Sequence, residues 1–114
     1  MTPLYYVASP YSHRSPKIRE RRAQQAMHFA ARLRSQGLVV FSPIAHSHEM
    51  SDYMEAYDCP VTDTEFWRVE NEAMLERCDK LIVLRLDGWQ QSVGVQREIE
   101  FAEKHGIPVE LMDY

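Results

Sequence analysis

Hydrophobic residues in this chain form short continuous runs that alternate with longer stretches of helical periodicity. The runs cover residues 4–8, 38–41, 80–86 and 107–111. Apolar runs of this length, rich in aliphatic and aromatic side chains, predict strands of a parallel sheet that is buried on both faces. The segment 80–86 is mostly aliphatic, and we expect it to be the central strand. Pro108 lies in the last run and predicts an edge strand there, because proline cannot donate to a sheet ladder.

Capping residues mark the helices that lie between these runs. Ser15 and Pro16 match the N-cap and first position of a helix, and Gly37 matches its C-terminal cap. Ser92 matches the N-cap of a second helix, which Gly106 ends. Both helices are therefore predicted with defined ends.

A third helix is predicted from Thr62 and Glu65, which match a capping box. Its buried stripe is expected to consist of Phe66, Val69, Ala73 and Met74. The segment before it, residues 44–60, shows no clear period and contains two histidines, His46 and His48. Long irregular segments in compact domains are usually functional or mobile, so we predict a functional loop here.

The element order is therefore β-α-β-loop-α-β-α-β. Strands separated by helices favour a parallel sheet with right-handed crossovers. We predict an α/β fold, a small flavodoxin- or Rossmann-like three-layer sandwich with a parallel sheet of four to five strands. At 114 residues, the chain is expected to form a single domain over residues 1–114.

Charge is distributed unevenly along the chain, which has a net charge of −4. Residues 1–40 hold seven basic residues and one acidic residue, whereas residues 41–78 hold two basic residues and nine acidic ones. The overall acidity argues against binding of a nucleic-acid polymer. The basic segment is interpreted as a solvated helix face, paired with the acidic segment of a neighbouring subunit, or as a phosphate-binding surface.

The cellular location is predicted from three features of the sequence: its apolar runs, its first residues and its cysteines. No apolar run approaches the roughly 20 residues that span a bilayer, so no membrane association is expected. The first residues do not match a secretory signal peptide. Cys59 and Cys78 do not form a disulfide framework, and we expect a reducing, cytoplasmic environment.

Polar residues follow three of the predicted strands, in loops at 9–13, 42–48 and 87–92. Parallel strands end at the same sheet edge, where open α/β folds bind their ligands. We expect these loops and the following helix to assemble a site from Tyr6, Ser9, Pro10, Tyr11, His13, Ser42, His46, His48, Asp79, Asp87, Trp89, Ser92, Gly94 and Glu98.

Glu98 is the best candidate for a reacting group. It lies one helical turn after Gly94, which has no side chain and leaves space above the carboxylate. The backbone N–H groups that open the Ser92 helix offer a place for an anion. Neither a Walker-type nor a dinucleotide-binding glycine pattern occurs.

These motifs carry a resemblance that extends from Tyr6 to Pro108. Asp79 opens the central strand, Ser42-Pro43 follows the second strand, and the longer motifs are Tyr6-Val7-Ala8-Ser9-Pro10-Tyr11 and Ser92-x-Gly94-x-x-x-Glu98. The pattern resembles the nucleoside 2-deoxyribosyltransferase-like superfamily, which includes 2′-deoxynucleoside 5′-phosphate N-hydrolases. Within it, the chain is most similar to small bacterial and phage proteins with a YxASPYSH-type motif.

The resemblance implies specific roles. Glu98 corresponds to the glutamate that attacks the anomeric carbon, and Tyr6 to a tyrosine that orients it. Ser92 corresponds to a contact with sugar or phosphate, and Asp79 to an aspartate that handles base or sugar. Members are typically homo-oligomers in which a neighbouring subunit helps to close the site, so we expect a dimer or tetramer. A nucleoside or nucleotide is the implied small-molecule partner, and no cofactor or metal is expected.

An N-glycosidic bond breaks through an oxocarbenium-like state, which a facing carboxylate stabilises before it forms a covalent glycosyl-enzyme. Asp79, Asp87 and His46 are the candidate acids that protonate the leaving base. Two alternatives remain: a non-catalytic nucleotide-binding module, and a metal-dependent hydrolase that uses the histidine loop. The preferred base, the need for a 5′-phosphate and the acceptor stay open.

Overall fold

Four parallel strands form the sheet at the centre of this computed structural model, which describes residues 1–114. The strands are β1 (Leu4–Ala8), β2 (Val39–Phe41), β3 (Lys80–Leu84) and β4 (Val109–Met112). Their order in the sheet is β2-β1-β3-β4, so β4 lies at an edge, as Pro108 predicted. Tyr6 in β1 pairs with Phe41 in β2 and with Leu81 in β3.

Three long helices connect the strands, and they confirm the predicted order of elements. They are α1 (Pro16–Ser35), α4 (Thr64–Glu76) and α5 (Val93–Lys104). Two short helices, α2 (Pro43–Ser47) and α3 (Met50–Met54), and a 3₁₀ turn (Glu55–Tyr57) lie before α4. The segment 44–60 is thus mostly helical rather than irregular. Its helices have only five residues each, too few for a hydrophobic period to be recognised.

The helices cover both faces of the sheet and make a three-layer sandwich. On one face, Val7, Ile82 and Leu84 pack against Phe29 and Leu33 of α1. On the other face, a second cluster joins the sheet to α4 and α5 and contains Tyr6, Ala8, Leu75, Cys78, Leu81, Val83, Val95 and Ala102. Neighbouring residues of β1 and β3 face opposite layers, which explains why both strands are apolar throughout. The predicted α/β class is correct.

The chain reverses its direction of travel across the sheet at β1 and β3. It moves from β1 to β2 on one side, and then returns to place β3 on the other side of β1. The carboxyl ends of β1 and β3 are therefore the topological switch point, where open α/β sheets form a ligand crevice. Ser9, Ser42 and the loop at 85–92 all follow strands at this edge, which confirms the predicted convergence of the three loops.

Helix α4 departs from its predicted orientation. Its N-cap is Asp63, whose carboxylate accepts a hydrogen bond from the Glu65 N–H, and not Thr62. The predicted stripe is also wrong for three of its four residues, because Val69, Ala73 and Met74 are exposed. The inward face instead carries Arg68, Asn71, Glu72 and Leu75. Arg68 and Glu72 pair with each other along the helix at 3.2 Å, and Leu75 packs in the core cluster that contains Tyr6.

The overall dimensions are those of a compact domain. The radius of gyration of the Cα atoms is 13.6 Å, close to the value of about 13 Å that is typical of a compact domain of this length. None of the helices combines the length and the apolar character that crossing a bilayer requires.

Candidate active site

The centre of the site is a hydrogen-bonded pair formed by Tyr6 and Glu98. Tyr6 is fully buried in β1, on the sheet face that α4 and α5 cover. Its hydroxyl donates a hydrogen bond to the Glu98 carboxylate, which comes from the second turn of α5. Because each group belongs to a different element, the packing of α5 on the sheet positions the carboxylate.

Burial sets the electrostatics of this pair. Removal from water raises the pKa of Glu98 from its usual 4.5 to about 7, and the negative charge of Glu72 adds to this effect. The hydrogen bond from Tyr6 acts in the opposite direction and lowers the pKa of Glu98. The pKa of Tyr6 is raised well above its usual value, first by burial and then by the charge of Glu98. The tyrosine therefore stays a donor, and the glutamate exchanges its proton near neutral pH.

The start of α5 lies one turn before Glu98. Ser92 is the N-cap as predicted, and its hydroxyl accepts a hydrogen bond from the Val95 N–H at 3.2 Å. Gly94 follows, and a Cβ placed there would meet only the Ser92 hydroxyl, at 4.0 Å. The helix start is therefore open to a ligand, as the spacing of Gly94 and Glu98 predicted.

Two aromatic contacts extend the site from Tyr6 towards α2. The ring centroids of Tyr6 and Phe41 lie 5.8 Å apart, and those of Phe41 and His46 lie 5.5 Å apart. The His46 Nε2 atom lies 3.4 Å from a carboxylate oxygen of Glu70, on α4. His46 and Glu70 thus border the same side of the sheet as Tyr6 and Glu98.

A separate hydrogen-bonded group links the loop between β1 and α1 to the residue that caps α2 and to α1. The Tyr11 hydroxyl donates to Nδ1 of His48 at 2.8 Å, and Nε2 of His48 donates to Glu20 at 2.6 Å. That hydrogen bond lowers the pKa of Glu20. Burial is the main cause of the raised pKa of Tyr11. These contacts tie the loop to the C-terminal end of α2.

Ser9 and Pro10 are buried at the switch point. Ser9 is only 6% exposed, and its hydroxyl makes no hydrogen bond within the protein. Buried hydroxyls are usually paired, so this group is available to a ligand or a bound water.

Arg22 joins the two loops that follow β1 and β3. Its guanidinium donates to the Ser12 carbonyl at 2.9 Å and to the Asp87 carbonyl at 3.0 Å. Beside it is an open depression of about 600 Å³ whose lining includes His13, Arg21, Arg22, Arg85 and Asp87. The lining of this depression contains neither Tyr6 nor Glu98. The predicted residues His13 and Asp87 therefore belong to this second region and not to the carboxylate centre.

Asp79 lies far from the predicted position. It precedes β3, and its carboxylate accepts a hydrogen bond from the Leu4 N–H at 2.7 Å. Both residues lie at the amino ends of their strands, at the sheet edge opposite to the switch point. The prediction that Asp79 converges with the loop residues is wrong, because a residue before a parallel strand lies at the edge opposite to one after it.

The other predicted residues have structural contacts. The Ser42 hydroxyl accepts from the Ala45 N–H at 3.2 Å and so caps α2. Trp89 packs against the core beneath α5 and borders an open depression of about 480 Å³ with Arg85 and Asp87. Both residues lie at the predicted edge, but neither contacts the Tyr6–Glu98 pair through a hydrogen bond.

A comparison with protein families shows where this chain belongs. A family model described as a domain of unknown function (DUF1937) matches residues 3–114. The chain belongs to the DUF1937 family. The matched range covers the whole sheet and every residue of the site. A comparison with curated proteins found none that matches the chain.

His46 in α2 and His48 at the C-cap of α2 contact different carboxylates in this DUF1937 chain. His46 pairs with Glu70, whereas His48 pairs with Glu20. No group of three or more His, Cys, Asp or Glu side chains in the chain lies close enough together to hold a metal ion.

Sequence reasoning missed Phe41, Glu70, Glu72 and Arg22 in this DUF1937 fold. Glu70 and Glu72 lie on α4, where the apolar period assigned the inward face to other residues. A second set of residues on α4 has the same helical spacing as the predicted apolar stripe, but its members are mostly polar: Arg68, Asn71, Glu72 and Leu75. This second spacing could have indicated the inward face. Arg22 is one of the seven basic residues of segment 1–40, and its sequence neighbours do not distinguish it from the other six.

Proposed function

We propose that this protein cleaves or transfers the base of a 2′-deoxynucleoside or its 5′-monophosphate, with Glu98 as the nucleophile. One observation carries this proposal: a buried carboxylate, hydrogen-bonded to Tyr6, lies one turn below an open helix start. A carboxylate on a rigid helix is suited to forming a covalent bond to an anomeric carbon. The motif resemblance described above suggested the same residue for the same reaction.

The ionisation of Glu98 and its hydrogen bond from Tyr6 suit the two steps of the proposed reaction. The nucleophile must be ionised, and a group with a pKa of about 7 is partly ionised at neutral pH. The Tyr6 hydroxyl holds one carboxylate oxygen, which leaves the other for the sugar. In the first step, the Glu98 oxygen bonds to the anomeric carbon as the bond to the base breaks. In the second step, water or an acceptor base replaces Glu98, which gives hydrolysis or transfer respectively.

A non-catalytic nucleotide-binding module is the second candidate. The depression lined by His13, Arg21 and Arg22, together with the unpaired Ser9 hydroxyl, supports binding of a polar or anionic ligand without any role for Glu98. We propose a cytoplasmic location for either function, supported by the two free cysteines, Cys59 and Cys78.

The test is release of free base from a panel of deoxynucleosides and their 5′-monophosphates, with and without an acceptor base, followed by chromatography. We expect Glu98→Ala to abolish release, since no other group replaces the nucleophile. Glu100→Ala is the matched control, because Glu100 is an exposed glutamate on the same helix, and it should retain wild-type rates. No release by the wild-type protein, together with ligand binding that survives Glu98→Ala, would favour the binding module.

A further inference from the structure

The cleavage step needs a group that protonates the leaving base, and the structure narrows the candidates. Asp79 lies at the opposite sheet edge and bonds the Leu4 backbone. Asp87 is exposed beside the Arg22 depression, whose lining contains neither Tyr6 nor Glu98. His46 remains, on the sheet face of the Tyr6–Glu98 pair. Naming the group that protonates the leaving base rests on the proposed function, because only base cleavage requires such an acid.

Two independent contacts connect His46 to the carboxylate centre. Phe41 contacts the rings of both Tyr6 and His46, so it separates the pair from the imidazole by one aromatic ring. Glu70, which has a carboxylate oxygen 3.4 Å from His46 Nε2, also acts on the centre, because its charge adds to burial and to Glu98 in raising the pKa of Tyr6. His46 on α2 and Glu70 on α4 thus border the side of the sheet that carries the nucleophile.

The ring of His46 is held with one nitrogen free. Nε2 faces Glu70 at 3.4 Å, and Nδ1 makes no hydrogen bond within the protein. The side chain is 44% exposed, so a ligand can reach it. A carboxylate beside one ring nitrogen orients the ring and leaves the other nitrogen free to donate a proton, which is the arrangement that a general acid requires.

We propose that His46, positioned by Glu70, is the general acid that protonates the leaving base. As the Glu98 oxygen forms its bond to the anomeric carbon, the glycosidic bond breaks and its electron pair stays on the base. The base takes the proton from Nδ1 of His46, which becomes neutral and keeps its Nε2–H towards Glu70. In the second step, the attacking water or acceptor base returns a proton to Nδ1, and the starting state is restored.

The experiment compares two substrates that differ in their need for an acid. Natural 2′-deoxynucleosides require protonation of the base, whereas N7-methyl-2′-deoxyguanosine carries a cationic base that leaves as a neutral molecule. We expect His46→Gln to lower kcat/KM for the natural substrates by about 100-fold or more, the usual contribution of a general acid. For the methylated substrate, it should change kcat/KM only slightly. Glu98→Ala should abolish release from both.

The matched control is His48→Gln, which removes a similar histidine–glutamate contact at the end of the same helix but on the side of α1. His48→Gln should change kcat/KM by the same factor for both substrates. Glu70→Gln provides a second readout, because it removes the carboxylate that positions the His46 ring. We expect it to lower kcat/KM for the natural substrates and to change kcat/KM for the methylated substrate only slightly.

The outcomes distinguish this inference from the proposed function. Suppose that Glu98→Ala abolishes release, but that His46→Gln lowers kcat/KM equally for both substrates or leaves it unchanged for both. His46 is then not the acid, and the proposed function stands. If Glu98→Ala leaves release unchanged, or the wild-type protein releases no base, the proposed function fails and the inference fails with it.

Discussion

Glu98 shows how a single residue takes its chemical character from its surroundings. The same helix carries Glu100 and Glu103, which are exposed to solvent. Glu98 alone lies beneath α4 and bonds Tyr6, and its pKa is raised to about 7. Catalytic carboxylates are often tuned towards neutral pH by burial, so this environment is consistent with the proposed role.

The raised pKa of Glu98 predicts a specific dependence of stability on pH. Between the usual value of 4.5 and about 7, the folded protein keeps a proton that the unfolded chain has released. The stabilisation from this proton is complete below about pH 4.5 and is lost as the pH rises through 7. We expect the loss to be on the order of 3 kcal/mol.

Urea unfolding at pH 5 and pH 8 measures this effect. Glu98→Gln stays neutral and can still accept the Tyr6 hydrogen bond, so its unfolding free energy should fall less than that of the wild type between the two pH values. Glu100→Gln serves as the control and should behave as the wild type does. Equal pH dependence in Glu98→Gln and the wild type would show that Glu98 is not proton-linked to folding.

At the scale of elements, Arg22 determines how the loops after β1 and β3 are held together. Gly88 in the second loop lies against it: φ is +89°, and a Cβ at this position would lie 2.7 Å from Nη2 of Arg22. Gly37 has nearly the same dihedral angle, +93°, but a Cβ at that position would have nothing within 4 Å. The two glycines therefore share a positive φ of about the same size and differ in the contact with Arg22.

We predict that Gly88→Ala destabilises the protein by about 1 kcal/mol more than Gly37→Ala. Both substitutions force an L-residue into a left-handed conformation. Only Gly88→Ala also displaces the guanidinium from the Asp87 carbonyl. Thermal or urea unfolding of the two variants measures the difference. In an Arg22→Ala background the difference should vanish, and its persistence there would rule out the Arg22 contact as its cause.

At the scale of the whole molecule, apolar exposure and charge point to self-association, which we propose as a homo-oligomer. Val69 on α4 is 68% exposed and Val93 at the start of α5 is 63% exposed, and Tyr53 and Tyr57 are also exposed. The acidic segment 41–78, which contains α4, is complementary in charge to the basic segment 1–40. A second copy of this chain therefore suits the exposed face of α4 in both polarity and charge.

We expect sedimentation velocity to show an assembly larger than the monomer. Val69→Asp should shift the distribution towards the monomer, because it places a charge in the apolar contact, and high salt should weaken the assembly. Leu111→Asp is the control, since Leu111 is 44% exposed on β4 and belongs neither to α4 nor to the basic segment 1–40. A wild-type protein that sediments as a monomer at all concentrations would contradict this prediction.

The sequence by itself determined the order of elements, the parallel sheet, the convergence of three loops and the candidate nucleophile. These follow from local rules: apolar runs, capping residues, and the fact that parallel strands end at one edge. Glu98 could be recognised because Ser92 and Gly94 mark the start of the helix that carries it. The short helices of segment 44–60 could not be recognised, because five residues carry no period.

Only the tertiary structure decided which side chains meet. The predicted position of Asp79 was wrong because Asp79 lies before β3, at the sheet edge opposite to the site. Its carboxylate accepts a hydrogen bond from the Leu4 N–H there. The orientation of α4 was wrong because two helical stripes compete, and the polar one lies over Tyr6 and Glu98. Glu70 therefore meets His46 only after α4 packs. Helical period is a local property, whereas the choice between stripes depends on the whole core.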